Sequence, residues 1–591
     1  MTVSLALPYY QTTAPYGSST FVQSHFCCVT ANMNWRAAIA SALLGAACVD
    51  AKAVVAHFMM SNCYLYTSVE WTSDIQAAQD AHIDGFALNV ANNPDSTTIQ
   101  QIANAFTAAN NMGFKLLFSF DYAGAGAWPQ NQVISYIQQY SSNAAYMQYK
   151  GKPLVTTFEG PQQAGDWTNI KSQTGCFFIP DWASIGASSA VTAGGSVADG
   201  LFSWEAWPNG PNNMNTNGDI NYVSALNGKP YMMAVSPWFY TNVPNFGKNW
   251  LWRGDDLWFD RWNEVLSIQP EFVQIISWND WPESHYIGPL RPKEFGAFAY
   301  GGAPYNYADG MPHDGWRALL PYWIDTYKGT TPQMKHETLS FWYRLSPKTA
   351  CGTGGTSGND AGHNQQTYAP SDIVQDMIFF DAYLSSAADA VVTIGGSNTT
   401  ATWSTKPSGG SGVYHGSVPF NGRTGSVSIK IVRDGNTIVS QAGKDISTTC
   451  TIGVTNWNAY VGSAVGSIAS TSKTSSTSST STSSTASTTS TSKATTSSTV
   501  TSTSLAPSNT SKSSTVTSTS SSSTSAATST ITVPMVFTVT QNVVCVCAPN
   551  CKCNPESAAA AATSSFSSSV TSVAVTSTST SPKPTSGSTV R

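Results

Sequence analysis

The chain has 591 residues, with 28 Lys plus Arg against 33 Asp plus Glu and a formal net charge of -5. This length exceeds that of one small domain and predicts two or more units, at least one with a substantial core. The charge provides no basic surface that would attract phosphates, so nucleic acid is not an expected partner. The 19 Trp residues in a chain that is only 10% charged suit stacking on sugar rings, although core packing accounts for many of them.

A signal-peptide pattern begins at Met33 rather than at the first residue. Arg36 supplies the positive charge, an apolar run follows over 37–49, and a small-x-small cleavage site ends the segment. We therefore predict a signal peptide over 33–53, a doubtful extension over 1–32 and a secreted, extracellular or cell-wall-associated protein. The apolar run is shorter than the roughly 20 residues that a membrane span needs, so no span is expected.

Eight β-rich runs alternate with amphipathic or polar segments from residue 54 onward. Repeated βα units predict a parallel sheet, and eight strands within about 230 residues predict an α/β fold with a (β/α)8 TIM-like barrel over 54–331. A helix is predicted over 68–83 with Ser68 as its N-cap, and another over 254–268. The strand predictions are 54–60, 85–91, 114–122, 152–160, 176–182, 200–207, 229–240 and 272–281.

Shorter alternating strands follow, and they predict a β-sandwich domain over 332–462. Residues 463–544 form a Ser/Thr-rich linker whose composition cannot bury a core and predicts disorder. A Cys-rich motif over 545–556 contains four cysteines, for which disulfides are favoured over a metal. The chain ends in a Ser/Thr/Ala-rich tail over 557–591.

Secretion makes disulfides the default expectation for the eight cysteines beyond residue 53. Cys351 and Cys450 bracket the predicted sandwich and are a candidate pair. Cys63 follows the first strand and Cys176 precedes the fifth, which places them at opposite ends of the barrel, so we predict that these two do not pair.

Active sites of (β/α)8 barrels lie at the C-terminal ends of the strands. One carboxylate at such an end is more often a capping or salt-bridging residue, but several carboxylates among tryptophans favour acid–base hydrolysis of a sugar polymer. No cysteine or histidine cluster has metal-ligand spacing, and nucleotide and nucleophile-elbow motifs are missing, so neither metal nor cofactor is expected. The candidates are His57, Asn89, Asp121, Glu159, Asp181, Trp204, Glu205, Trp238 and Tyr240, with Trp278, Asp280, Glu283, His285 and Tyr286 in the segment "SWNDWPESHY".

The motifs "VVAHFM", "DGFALN", "FSFD", "FSWEAWP", "PYMMAVSPWFY", "NWLWRGDDLWFDRW" and "IISWNDWPESHYIGP" resemble those of the fungal α-1,3-glucanases, or mutanases, of glycoside hydrolase family 71. The resemblance implies a secreted hydrolase of fungal cell-wall α-1,3-glucan that works with inversion. It places the essential acids on Asp121, Asp280 and Glu283. The remaining candidates, identified from the strand ends and the segment "SWNDWPESHY", are predicted to bind substrate. The family usually has Tyr-Gly where this chain has Trp281-Pro282, so the direction of Glu283 can differ.

An inverting mechanism needs one protonated carboxyl and one carboxylate about 6.5–9.5 Å apart. We assign Glu283 as the acid and Asp280 as the base, with Asp121 positioning water or tuning a pKa. The expected partner is the polysaccharide, and the expected state is a monomer. The alternative is a non-catalytic wall protein that binds glucan without cleaving it.

Overall fold

A computed structural model describes residues 52–361 and 365–468. The predicted extension, all but the end of the predicted signal peptide, most of the linker, the Cys-rich motif and the tail lie outside these ranges. Within the described ranges, no helix is long and apolar enough to cross a membrane.

The centre of the protein is a closed sheet of parallel strands. In chain order these are β1 (Ala53–Met59), β2 (Gly85–Ala91), β3 (Lys115–Asp121), β4 (Lys152–Phe158), β5 (Phe177–Asp181), β6 (Leu201–Ser203), β7 (Tyr231–Val235) and β8 (Phe272–Ile275). β1 pairs in parallel with both β2 and β8, which closes the sheet into a barrel. The predicted (β/α)8 barrel is confirmed.

A helix follows each strand and packs on the outside of the barrel. The helices are α1 (Ser68–Asp80), α2 (Ser96–Met112), α3 (Gln130–Tyr140), α4 (Trp167–Thr174), α5 (Ala187–Gly194), α6 (Asn217–Leu226), α7 (Leu257–Ile268) and α8 (Leu320–Tyr327). The N-cap of α1 is Thr67 rather than the predicted Ser68. Thr67 and Glu70 form a reciprocal capping box there, which satisfies two backbone N–H groups at the helix start.

Side chains on the strands alternate between two hydrophobic cores, as the period of two requires. Val55, Ala87 and Leu117, from three neighbouring strands, belong to the core inside the barrel. Val54 and Phe58 belong to the outer core, between the strands and the helices. The barrel is therefore filled by side chains.

Three predicted strands extend at least four residues beyond the observed C-terminal ends. β6 ends at Ser203, β7 at Val235 and β8 at Ile275, because the chain leaves the barrel there to form the rim loops. Pro237 lacks the N–H that a central strand would need. Tyr240 begins a separate hairpin, in which Tyr240–Val243 pairs antiparallel with Lys248–Leu251.

Short elements complete the barrel side of the molecule. Gln148–Tyr149 pairs antiparallel with β4, and Ser357–Gly358 pairs in parallel with the second hairpin strand. Short α-helices span Gly296–Tyr300 and Pro370–Ile373.

Two antiparallel sheets follow the barrel. Buried residues of both sheets, among them Phe341, Phe380, Val392 and Ile429, form one core. The strand order in the first sheet is Trp403–Thr405, Gly412–Pro419, Met377–Leu384, Glu337–Tyr343 and Tyr460–Gly466. In the second sheet it is Ser397–Thr400, Asp389–Ile394, Val427–Arg433 and Asn436–Ala442.

The first sheet also packs against the barrel helices. Trp342, Phe379 and Val413 are part of the barrel's outer core. The indole N–H of Trp342 donates to the carbonyl of Asp255 at 2.7 Å, before α7. The two parts of the chain therefore share one continuous apolar contact.

The cysteines within the described residues follow the geometric expectations. Cys351 and Cys450 form a disulfide that closes a 99-residue separation, which confirms the candidate pair. Cys63 and Cys176 are buried free thiols. The general expectation of disulfides is therefore wrong for these two cysteines, and the prediction that they do not pair with each other is confirmed.

A buried ionic group joins the first sheet to the barrel. The His415 ring, only 4% exposed, bonds Asp381 of its own sheet at 2.7 Å and Asp256 beside α7 at 2.8 Å. Burial alone would lower the pKa of His415, but the hydrogen bonds and charges of the two carboxylates raise it to about 10. His415 is therefore a buried cation between two carboxylates.

Replacing His415 with alanine is expected to destabilise the fold by about 3–5 kcal/mol, because Asp381 is then left buried without a partner. The unfolded pKa of histidine is about 6.5. The stabilisation by the raised pKa is fully present below that value and is lost as the pH rises through about 10. Urea unfolding of the wild type and of His415→Ala, at pH 6 and at pH 10, measures the free energy of unfolding. The free-energy difference between the two proteins should be smaller at pH 10 than at pH 6.

The matched control is His336→Ala, which removes an exposed histidine. It should leave the free energy of unfolding unchanged. Equal unfolding free energies for His415→Ala and the wild type at pH 6 would contradict the structural role.

Candidate active site

The segment that follows β8 turns back on itself at the C-terminal rim of the barrel. Ser277 N–H donates to the carbonyl of His285 at 2.8 Å, and Ile287 N–H donates to the carbonyl of Ser277 at 2.8 Å. These two bonds close a loop that contains both carboxyl residues of "SWNDWPESHY". The closed loop fixes where Asp280 and Glu283 stand.

Asn279 attaches this loop to the end of β1. Its side-chain oxygen accepts from Met59 N–H at 2.7 Å, and its amide donates to the Met59 carbonyl at 3.0 Å. The amide of Asn62 donates to the Asn279 carbonyl at 3.0 Å. The strands on both sides of the barrel closure therefore hold the carboxyl loop.

The Trp281-Pro282 pair forms the first part of a single 3-10 turn, Trp281–Glu283, which Asp280 caps. Proline suits the first turn of a helix because its missing N–H is not needed there. Trp281 is buried against Phe295, and the Pro282 carbonyl accepts from Tyr307 O–H at 2.5 Å. The pair anchors the turn and leaves Glu283 directed at two basic side chains.

Glu283 binds one basic group with each carboxylate oxygen. Lys248 Nζ lies 2.5 Å from Oε1, and His285 Nε2 lies 2.9 Å from Oε2. Burial opposes the ionisation of Glu283, but Lys248 and His285 together hold its pKa well below the usual value. The Glu283 charge raises the pKa of Lys248 in turn. Glu283 is therefore an ionised carboxylate.

Asp280 has the opposite electrostatic environment. Burial and the neighbouring charge of Glu283 raise the pKa of Asp280 to about 6, against the lowering effects of His285 and Lys248. Its backbone N–H donates to Ser277 Oγ at 3.0 Å, and that hydroxyl also lies 2.9 Å from His285 Nδ1. Of the two carboxyl groups, Asp280 is therefore the one whose pKa is raised and Glu283 the one whose pKa is lowered.

The spacing of the pair is also shorter than expected. One oxygen of Asp280, one oxygen of Glu283 and a ring nitrogen of His285 all lie within 4.8 Å of one another. An inverting acid and base stand about 6.5–9.5 Å apart. Asp280 and Glu283 in this arrangement are too close to hold a sugar and a water molecule between them.

Asp121 is the third carboxyl group of the site and ends β3. Its Oδ1 accepts from Ala123 N–H and Gly124 N–H, both at 2.8 Å. Gly124 is needed because a β-carbon there would lie 2.7 Å from Oδ2. Burial raises the pKa of Asp121 overall, although the two N–H groups and the charge of Lys248 act in the opposite direction.

Lys248 was missed by the sequence analysis and is central to the site. Its charge acts on Glu283, Asp280 and Asp121. It lies on the second hairpin strand, one residue before the motif "NWLWRGDDLWFDRW" that carries the family resemblance. That adjacency was the available signal, but the hairpin itself was not predicted.

His57 lies inside the barrel at the end of β1 and is 2% exposed. Gln274 Nε2 donates to its Nδ1 at 3.0 Å. Burial and the nearby His285 lower the pKa of His57 to about 3, so the ring is neutral. It contacts the edge of Trp204, with ring centroids 4.9 Å apart.

Half-buried tryptophans line the rim beside the carboxyl groups. Trp204 packs between His57 and Phe158. Trp207 stacks on Trp252 with centroids 5.0 Å apart and faces the His285 ring at 5.7 Å. Trp207 and Trp252 were not among the predicted residues, although both belong to motifs of the family resemblance.

Glu159, Asp181 and Glu205 form a second acidic group, at the ends of β4, β5 and β6. Burial, Glu159 and Glu205 together raise the pKa of the fully buried Asp181 well above its usual value. Ser184 donates to Glu159 through its hydroxyl and its N–H. Glu205 lines an open cleft of ≈ 730 Å³ beside α5 and α6. None of these acids shares a contact with Asp280 or Glu283 among the described residues.

Four of the predicted substrate-binding aromatics are packed inside the protein, and we revise their role. Trp238, Tyr240, Trp278 and Tyr286 are each at most 2% exposed. Trp238 donates to the Trp457 carbonyl, Trp278 donates to Asp74, and Tyr286 donates to the Met311 carbonyl. Tyr240 packs on Tyr307. Asn89 is also buried, in β2, at 4% exposure.

The Asp280, Glu283 and His285 atoms are spaced closely enough to coordinate a metal ion, which sequence spacing did not reveal. Lys248 already supplies a positive charge to the Glu283 oxygen at 2.5 Å. A divalent ion bound there would have to displace that ammonium group. The donor set therefore suits a lysine-neutralised carboxylate better than a metal site.

Glycoside hydrolases typically have carboxyl groups and tryptophans at the C-terminal rim of a (β/α)8 barrel, with the pKa of one carboxyl raised and that of another lowered. Residues 50–477 match the Glycosyl hydrolase family 71, and the chain belongs to this family. The family resemblance seen in the sequence motifs is confirmed.

Three relatives show how far the similarity extends. The chain is 35% identical over 441 residues to a glucan endo-1,3-alpha-glucosidase of Schizosaccharomyces pombe, covering 71% of this chain and 96% of that protein. It is 36% identical over 430 residues to a mutanase of Penicillium rubens, covering 71% and 90%. An ascus wall endo-1,3-alpha-glucanase of Schizosaccharomyces pombe is 30% identical over 353 residues, covering 56% and 78%.

Proposed function

We propose that this protein is a secreted glycoside hydrolase that cleaves α-1,3-glucosidic linkages of fungal cell-wall glucan with inversion. The names of the relatives support the substrate. The observation that carries the proposal is the carboxyl pair at the barrel rim, in which Lys248 and His285 hold Glu283 ionised beside Asp280.

Asp280 acts as the general acid. Its pKa of about 6 keeps the carboxyl protonated in mildly acidic solution, so it can donate a proton to the departing glycosidic oxygen. Glu283 assists because its fixed negative charge favours the protonated form of Asp280. Activity should therefore fall as the pH rises through about 6, when Asp280 ionises.

Asp121 acts as the general base. Glu283 is too close to Asp280 for the usual inverting separation, and Asp121 is the remaining carboxylate on which Lys248 acts. Two backbone N–H groups orient Asp121 through Oδ1. It takes a proton from water as the water oxygen bonds to the anomeric carbon and the glycosidic bond breaks.

The two sheets that follow the barrel support it mechanically. The two antiparallel sheets with their shared core constitute a β-sandwich that braces the barrel through Trp342 and His415. The secreted chain acts as a monomer.

The direct test is hydrolysis of insoluble α-1,3-glucan by the purified full chain. Reducing sugar should appear, and proton NMR of the first products should show the β-anomer, with little release from β-1,3-glucan or amylose. Glucan binding without sugar release would establish a non-catalytic binding protein. First products in the α-configuration would contradict inversion.

Replacing Lys248 with methionine is expected to lower kcat/KM about 10- to 100-fold, because a hydrogen bond to a charged group is worth about 1.5–3 kcal/mol. Without the ammonium group, the pKa of Glu283 rises and the two adjacent carboxyls compete for one proton. The measurement is the pH dependence of kcat/KM on soluble α-1,3-glucan oligosaccharides.

Lys115→Met is the matched control, because Lys115 is exposed at the start of β3, at the other end of the barrel. It should leave the pH profile unchanged. A Lys248→Met variant with the wild-type profile would rule out the electrostatic role.

A further inference from the structure

Two aromatic side chains are strongly exposed on elements that adjoin the hairpin carrying Lys248. Phe246 is 58% exposed and Tyr300 is 79% exposed. Phe246 ends the short turn Pro244–Phe246 at the tip of the hairpin, and Tyr300 ends the helix Gly296–Tyr300. Exposing large rings to water is unfavourable, so neighbouring exposed rings commonly mark a binding surface.

The hairpin connects Phe246 directly to the reacting groups. Lys248 follows Phe246 by two residues and pairs with Val243 across the hairpin. The Lys248 ammonium lies 2.5 Å from Glu283 Oε1. The exposed ring therefore lies on the same hairpin as the lysine that contacts Glu283.

Backbone contacts hold Tyr300 against the same hairpin tip. Asn245 N–H donates to the Gly301 carbonyl at 2.9 Å, and the Asn245 side-chain amide donates to the Tyr300 carbonyl at 3.0 Å. Gly301 and Gly302 permit this approach, because a β-carbon on either would lie within 2.8 Å of Val243 or Asn245. The hairpin tip and the end of the helix Gly296–Tyr300 are thus held together, and we call the exposed side chains of Phe246 and Tyr300 on them the hairpin platform.

We propose that the hairpin platform binds glucose units of the polysaccharide outside the point of cleavage. The proposal rests on the function proposed above and names a binding site for the same substrate. The C–H faces of a pyranose ring are apolar and match the flat face of an aromatic ring, while the sugar hydroxyls stay in water. The occupant is a polysaccharide because the hairpin that carries Phe246 also carries Lys248 of the carboxyl site, and a long substrate extends beyond the bond that is cleaved.

The contribution of the hairpin platform to binding depends on the length of the polysaccharide substrate. A substrate short enough to fill only the carboxyl site cannot reach Phe246 or Tyr300. A long or insoluble chain gains contacts there that do not change the bond-breaking step. The platform therefore affects binding of polymer and leaves the reaction of short substrates unaltered.

The test compares a Phe246→Ala/Tyr300→Ala double variant with the wild type, as full-length proteins. We expect at least 5-fold weaker binding to insoluble α-1,3-glucan and slower polymer hydrolysis, with kcat/KM on the shortest cleaved oligosaccharide within 2-fold of wild type. A Phe246→Tyr/Tyr300→Phe variant, which keeps both rings, should behave as wild type.

The matched control is Ile220→Ala/Val223→Ala, which removes two exposed apolar side chains from α6. It should bind polymer as the wild type does. Unchanged polymer binding in the aromatic double variant, or equal losses on short and long substrates, would overturn the proposal. An inactive wild type would instead refute the proposed function, so the two failures are distinguishable.

Discussion

Replacing Glu283 with glutamine is expected to lower kcat/KM on α-1,3-glucan by at least about 100-fold, within the range that acid–base groups contribute. The substitution keeps the shape of the side chain but removes the charge that raises the pKa of Asp280. It also leaves the Lys248 ammonium and His285 without their anionic partner. Both changes lower the pKa of Asp280, so the acid is ionised over most of the working pH range.

This explanation has a specific signature in the pH profile. The decline of kcat/KM with rising pH should move to lower pH in the Glu283→Gln variant, because Asp280 loses its proton earlier. Part of the activity should return on acidification. A profile of unchanged shape at reduced height would show that Glu283 acts in another way.

The matched control is Glu271→Gln, which makes the same change at the N-terminal end of the barrel. Glu271 accepts from Tyr231 N–H at 2.9 Å, at the start of β7. The control should alter stability more than activity. A comparable loss of activity in both variants would mean that the Glu283 effect is structural.

The second large effect is expected for Asp121→Ala, with a loss of about 10²–10⁴-fold in kcat, the usual contribution of a general base. Sodium azide should restore turnover, since azide is nucleophilic without losing a proton and fits the space of the missing carboxyl. Asp280 still protonates the leaving oxygen. The product should be a β-glucosyl azide, because attack on an α-linkage with inversion gives that configuration.

Mass spectrometry and NMR of the azide product provide the measurement. Asp309→Ala, at an exposed aspartate, is the control and should keep full activity without azide. Azide rescue of Glu283→Ala but not of Asp121→Ala would transfer the role of base to Glu283.

The barrel could be predicted from the sequence because its strands are β-rich runs separated by helix-length segments. The ends of β6, β7 and β8 could not, since the rim loops continue with residues as apolar and aromatic as the strands. Trp238 and Trp278 show the consequence. Both residues follow a strand in the sequence, so the sequence predicts that they lie at the barrel rim. The chain turns after each strand, and both side chains are buried.

The carboxyl residues could be located from the sequence, but their protonation could not be assigned. The pKa values of Asp280 and Glu283 shift in opposite directions, and Lys248 contacts only Glu283 of the two. Lys248 is brought there by a hairpin 32 residues earlier in the chain than Asp280. Local spacing contains no information about that contact. The role of Trp281-Pro282 was equally invisible, because it depends on the buried Tyr307 and Phe295.

The most direct test of the account is the activity of Asp280→Asn on two substrates that differ in their need for an acid. On an α-1,3-glucan oligosaccharide the variant should lose about 10²–10⁴-fold in kcat/KM, because the leaving alkoxide needs a proton. On the corresponding α-glucosyl fluoride, whose fluoride departs without one, it should lose less than about 10-fold. Equal losses on both substrates would contradict the assignment of Asp280 as the acid.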